Sequence, residues 1–407
     1  MAIGPLEIDE GSDTEGCERP GAVADSGSAS MEGEAAGAAA YGRAKRILFV
    51  VELAAGLAYL VLLLATGASV AIAAWLESLS ANAWLVVLMY ILVVGLAYEF
   101  VGTPVDFYGG FILEHKYGQS TQSFWAWAWD ALKGKLVAFS IGAVLLEAVY
   151  WLLRSFPQSW WIIATAMFVA FGVVMANLAP VLLMPIFYKF VPLKDEELRE
   201  RLIRLCEKAG TAVRGVYEMD MSRKTRAANA ALVGLGNTRR IVLADTMLDR
   251  YGPDEVEAVL AHELGHHANW DMWKGLIFQS AISALAFYAA FRIMKACSSL
   301  IGLSGPDDIA GFPLLMLTMA AVSLLFLPTA NAFSRHLERK ADSFALRLTG
   351  NPRSFASMMG KLGRQNLSEF EPSPLVEFLL FSHPSISKRI RMAREMYPGE
   401  FENREAG

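Results

Sequence analysis

Apolar residues gather into six long blocks along this chain, over 47–68, 84–106, 136–153, 160–188, 275–295 and 310–333. Each approaches or exceeds the roughly 20 apolar residues with which an α-helix crosses a bilayer. Six membrane-spanning helices are predicted. A seventh stays open, because the apolar piece 70–79 either extends the first span or lies at the interface. Between the fourth and fifth blocks the pattern changes. Charged residues spread through 189–250, apolar positions recur at helical spacing over 195–209, and pieces at 213–219 and 239–245 read as strands. From residue 334 the chain is charged and helical again. The expected fold is an all-α multi-span membrane protein with six or seven transmembrane helices and a small β element in its polar segments. The pattern divides the chain into a tail (1–42), a membrane part of about four helices (43–190), a polar segment (191–273), two further spans (274–333) and a polar C-terminal segment (334–407).

Composition agrees with lipid as the main solvent: 54% of residues are hydrophobic, 19% are charged, and the formal net charge is −5. No basic block suggests a nucleic-acid partner. Cys17, Cys206 and Cys297 stand singly, so neither a disulfide framework nor a thiolate metal site is implied. Residues 1–42 are rich in Gly, Ala, Ser and acidic residues, unlike a signal peptide, and too poor in large apolar side chains to offset chain entropy. They read as a disordered cytoplasmic tail. Basic residues near the span ends (Arg43, Lys45 and Arg46 before the first, Lys116, Lys133 and Lys135 between the second and third) place both termini and the polar segments on the cytoplasmic side, against Arg154, Arg292 and Lys295.

Within the first polar segment lies His262-Glu263-Leu264-Gly265-His266, in a chain with only six histidines. Positions four apart share one helix face, and two imidazoles so placed can bind one Zn²⁺ while the intervening glutamate takes a proton from water. The run from Pro253 supports the helix, with Asp254 and Glu255 in its first turn and Val256, Val259 and Leu260 at apolar spacing. A catalytic zinc needs a third protein ligand. Glu338 is the best candidate, on a helix continuing out of the sixth span, where Arg335, Glu338 and Asp342 share a face. Asp342 is then suited to hold the free N–H of a ligand histidine, with Arg335 beside it as a supporting residue. The arrangement is gluzincin-like. The elongated zinc motif is excluded, because Asn269 and Met272 stand where it requires Gly and His. An intramembrane protease is excluded too, because the motif lies in a charged region outside the spans.

The chain resembles the integral-membrane CAAX prenyl endopeptidase family, type I zinc metalloproteases. Besides the histidine motif, Asp220-Met221-Ser222 and Asn229-Ala230-Ala231-Leu232-Val233-Gly234-Leu235-Gly236 look like that family's substrate-binding strand. Arg239 to Thr246 resembles the strand and turn after it, Asn331 to Asp342 its third-ligand helix, and Ser382-His383-Pro384 with Arg389 its C-terminal element. Glu114 to Gly118 and Pro185-Ile186-Phe187 are similar to linkers of its membrane part. The likeness covers residues 85–397; the acidic tail has no counterpart.

The resemblance implies one zinc ion held by His262, His266 and Glu338, with Glu263 as general base. It implies that Asn229 and Ala230 present backbone and amide groups to an extended peptide, that His383 donates to the oxyanion, and that Arg389 contacts substrate. It further implies a water-filled chamber enclosed by the helices, and peptide or protein substrates ending in a prenylated CAAX sequence. Two alternatives remain open at this stage. One is a quality-control zinc protease of membrane proteins. The other is a transporter or scaffold with a structural metal, which the scarcity of ionisable residues in the spans (Glu99 and Glu147 are the main ones) disfavours.

Overall fold

The computed structural model describes residues 23–234 and 236–402. Six of its helical segments are long and apolar enough to cross a membrane: Gly33–Ala65, Ala83–Lys116, Phe124–Ser155, Trp160–Phe187, Asp271–Cys297 and Ile309–Thr349. The first belongs to α1 (Val23–Ala65). A left-handed Gly67 then turns the chain into the short α2 (Ala68–Leu79), so the apolar piece after the first span is a separate helix rather than its extension. Helix α3 (Ala83–Phe107) is capped by Asn82, whose side chain accepts from Trp84 and Leu85, and it runs through a π-helical turn at Tyr108–Ile112 into α4 (Leu113–Lys116). Helix α5 (Phe124–Ser155) follows. Helix α6 (Trp160–Leu178) passes through a second π-helical turn at Ala179–Leu183, which contains Pro180, into α7 (Met184–Phe187). Tyr90, Tyr150, Trp160 and Phe287 form the heart of the membrane core. Outward-facing Phe100, Val144 and Leu96 stay exposed, as apolar side chains do when lipid is their solvent.

The polar segment builds a second core. Helix α8 (Glu196–Lys208), capped by the Asp195 side chain, buries Leu198, Leu202, Leu205 and Cys206. It packs near a four-stranded sheet of order β1-β2-β4-β3, with strands β1 (Phe190–Pro192), β2 (Val216–Met219), β3 (Ala230–Val233) and β4 (Arg240–Ala244). Strand β4 is central and buried; β2 runs parallel to it and β3 antiparallel, so β3 is an edge. A single turn, α9 (Asp245–Leu248), leads to α10 (Pro253–Ala268) and α11 (Asp271–Cys297), and then α12 (Phe312–Thr349). Helices α13 (Pro352–Gln365), α14 (Pro374–Leu380), α15 (Ile386–Met396) and α16 (Gly399–Glu402) complete the described residues.

The expected tail ends earlier than the sequence suggests. Residues 1–22 lie outside the described residues, but 23–42 are helical and continuous with the first span. Ala and Glu propagate a helix already nucleated by its neighbour at little cost. Tertiary contacts then hold its inner end: Tyr41 Oη donates to Glu114 (2.9 Å), Lys45 pairs with the same carboxylate, and Arg46 makes a two-pronged pair with Glu369 at 2.9 Å on both prongs.

Candidate active site

Helix α10 starts firmly. Pro253 occupies its first turn and the Glu255 carboxylate accepts the Gly252 N–H at 2.8 Å. Its buried face of Val256, Val259 and Leu260 lies in the second core, and this orientation aims His262 and His266 at α12. The two helices cross closely. A Cβ added at Gly265 would stand 2.9 Å from the Ala341 Cα, so only glycine lets α12 approach there. That approach brings in the third residue. His262, His266 and Glu338 each offer an atom within 4.8 Å of the others, a grouping drawn from two helices and 72 residues apart from His266 to Glu338.

The polarity of these atoms specifies a cation. His262 Nδ1 lies 2.8 Å from Asp342 Oδ1, and His266 Nδ1 lies 3.1 Å from Asp271 Oδ2. Ionised carboxylates only accept, so each ring donates its Nδ1–H and turns the Nε2 lone pair inward. The two Nε2 atoms then face each other at 3.2 Å, with Glu338 oxygens 3.3 Å from both. Glu338 Oε2 is buried and accepts no hydrogen bond. Lone pairs converging on one point, with an orphaned carboxylate oxygen among them, fit a divalent metal held by two imidazoles and one carboxylate.

Without the metal, a proton serves instead. Burial works against a charged His262, but the carboxylates of Asp342 and then Glu338 outweigh it and lift its pKa to about 9. His266 is also raised: burial lowers it, and the hydrogen bond to Glu338 more than compensates. Metal must displace these protons. Metal affinity is therefore expected to fall as pH drops below about 9, by about tenfold per pH unit for each proton displaced. Competition titrations with a chromophoric chelator at several pH values check this; a pH-independent affinity would contradict it. The metal-free fold is expected to follow the opposite trend. Its raised imidazoles stabilise it below their unfolded pKa, and that contribution disappears as pH rises through the folded value.

Asp342 is fully buried, and Arg389 Nε donates to it at 2.8 Å while Nη2 contacts its other oxygen. Arg389 was expected on the substrate. It lines the cleft, but it is 6% exposed and its fork is occupied by Asp342, with Glu338 Oε2 3.7 Å away. Arg335 differs from expectation too. It shares the face of Glu338, yet its Nη1 donates to the carbonyls of Glu377 (2.9 Å) and Phe381 (2.6 Å), with Asn331 donating to Leu379 (2.6 Å). Its long side chain carries the guanidinium past the ligands to the C-terminal end of α14, where the carbonyls and the helix dipole attract a cation. It thereby fixes the segment that delivers His383. His383 Nε2 lies 3.2 Å from Glu338 Oε1, and Ser382 Oγ is 2.9 Å from its Nδ1.

An open cleft of about 590 Å³ lies over these groups, lined by Asn229, Ala230, Glu263, His383 and Arg389 among others. Burial raises the pKa of the Glu263 carboxyl, with the neighbouring histidines opposing it. Asn229 precedes β3, and its carbonyl accepts the Ala244 N–H at 2.9 Å. Sequence reasoning missed Asp271. It follows the left-handed Trp270 (φ 59°), which breaks α10 from α11, so no helical spacing links it to His266. A carboxylate just beyond the motif was the one available signal.

Residues 192–397 match the profile of peptidase family M48, and residues 27–189 match that of the CAAX prenyl protease N-terminal region, described as five membrane helices. Over that stretch this chain has four long apolar helices and the short α2. A Bacillus subtilis protein, the uncharacterized metalloprotease YhfN, is 31% identical over 92% of this chain and 89% of its own. CAAX prenyl protease 1 of Saccharomyces cerevisiae is 30% identical over 71% of this chain and 68% of its own. The crystal structure of S. mikatae Ste24p superposes with a TM-score of 0.71 at 25% identity, covering 77% of this chain and 76% of that one. With the histidine motif, the carboxylate that joins it and the membrane part all accounted for, the chain belongs to peptidase family M48 and is a membrane-embedded metalloendopeptidase.

Proposed function

We propose that the metal is zinc, held by His262, His266 and Glu338, and that the protein removes the C-terminal tripeptide from prenylated CAAX substrates at the cytoplasmic face of its membrane. The observation that supports zinc chemistry best is the donor set itself, two imidazoles and one carboxylate with Glu263 beside them in an open cleft. The CAAX assignment is supported by the likeness to CAAX prenyl protease 1 proteins, and the orientation by the basic residues flanking the first spans.

When bound, the ion supplies Lewis-acid polarisation of the scissile carbonyl and acidifies the attacking water. The chain supplies the rest. The free edge of β3 at Ala230 receives the substrate backbone as an added strand, and Asn229 borders the same cleft. Glu263 takes the water's proton and passes it to the leaving amine. His383, held by the segment that Arg335 anchors, donates to the oxyanion. Asp342 and Asp271 keep both ligand rings in the tautomer that binds metal. Arg389 acts one step behind them by orienting Asp342.

The test is cleavage of a synthetic farnesylated CAAX peptide by the purified full chain. Release of the terminal tripeptide, lost on chelation and restored by zinc, is the expected result. Equal cleavage of the unfarnesylated peptide would remove the lipid from the reading, and chelator-resistant cleavage would remove the metal.

A further inference from the structure

The outer edge of β3 is stopped at one end by a side chain. Antiparallel pairing sets Ala230 opposite Leu243 and Ala231 opposite Val242. The Asn229 carbonyl accepts from Ala244, so it faces β4. Backbone groups alternate sides along a strand. Those of Ala228, Ala230 and Leu232 therefore point outward, away from the sheet. Ala230 and Leu232 have no pairing on that side among the described residues. Ala228 does: its N–H donates to Asn366 Oδ1 (2.8 Å), and its carbonyl accepts from Asn366 Nδ2 (3.1 Å). One primary amide gives Ala228 both bonds that the next residue of an added strand would have made.

This amide is held from several directions. The adjacent Gln365 donates to the carbonyls of Arg226 (2.8 Å) and Thr246 (3.1 Å), and Gln119 donates to the Gln365 carbonyl (2.9 Å). Three residues on, Glu369 takes the Arg46 fork from α1. Asn366, Ser368 and Glu369 all line the catalytic cleft.

From this arrangement we infer that Asn366 is a register stop that determines specificity, ending substrate pairing after Ala230 and so fixing which peptide bond meets Glu263. The inference rests on the strand-addition reading above. A peptide seated on Ala230 has to terminate or bend where it meets the Asn366 amide. Sliding by one residue would turn its side chains over, so any looser register moves in steps of two.

Cleavage positions on the farnesylated peptide, and on variants lengthened by two residues at either end, are mapped by mass spectrometry for the purified full chain. Wild type should cut one bond. Asn366→Ala should add products displaced by two residues, rising about tenfold over wild type, the worth of about two ordinary hydrogen bonds. Asn366→Asp keeps the acceptor for Ala228 and similar size, and should give a smaller displaced fraction; it carries the test should the alanine variant not fold. Cleavage at the single wild-type bond by both variants, on every peptide, overturns the register stop. A parallel arm uses peptides N-methylated at successive residues. Loss of cleavage at alternate positions shows strand addition. Indifference to methylation rejects strand addition itself and the register stop with it, whereas alternate sensitivity with unchanged cut sites rejects only the stop.

Discussion

Replacing Glu263 with Gln should lower kcat by at least about a hundredfold while leaving bound metal unchanged. The side chain is not among the atoms that converge on the metal site, which come from His262, His266 and Glu338. It lies on the same turn of α10, facing the cleft. Glutamine keeps its volume and hydrogen-bonding reach but has no basic oxygen to accept the water's proton. Metal analysis should give the wild-type content, and thermal unfolding should be close to wild type. A metal-loaded Gln variant with near-normal turnover would remove Glu263 from the mechanism, and one that had lost its metal would recast it as a ligand.

Arg389→Met should be damaging for a different reason. It leaves Asp342, with no exposure of its own, buried beside Glu338 without its cation. Breaking a buried pair by removing one partner costs about 3–5 kcal/mol, and Asp342 also orients His262. The expected result is a large drop in thermal stability and in metal occupancy, with activity per bound metal substantially retained. A contact made only with substrate would instead raise KM at unchanged stability, and that outcome would return Arg389 to the role the sequence suggested. Arg389→Lys keeps the charge but loses the planar fork, and should fall between. Combining Arg389→Met with Asp342→Asn removes both charges together and should recover part of the lost stability.

What could be read in the sequence follows the range over which each signal acts. The two histidines and Glu263 were legible because their spacing is local and helical periodicity alone puts them on one face. Glu338 was legible because α12 continues unbroken from an apolar span into charged residues, so Arg335 and Asp342 could be placed with it. The same periodicity said nothing about where the Arg335 side chain ends, and it ends on the carbonyls of α14. Asp271 escaped because a left-handed Trp270 interrupts the repeat. Strand β3 was visible only through family likeness, since Ala230–Val233 is too short for alternation to register, and β1 is shorter still. Asn366 left no trace at all, because its partner Ala228 is 138 residues away. The early helical turns before residue 43 were hidden by their lack of apolar residues; what fixes their inner end is the contact of Tyr41 and Lys45 with Glu114.

The continuity of α12 turns the catalytic centre into a gauge of height. One helix from Phe312 to Thr349 carries both the last apolar block and the metal-site carboxylate, Glu338. Glu338 comes five residues after Phe333, where that block ends, a rise of about 8 Å along the helix axis. No proline or break falls between Phe333 and Glu338, so the helix itself holds the metal-site carboxylate at a fixed distance from the end of the apolar block. A peptide substrate must come to that fixed height above the apolar block before any of its side chains is read.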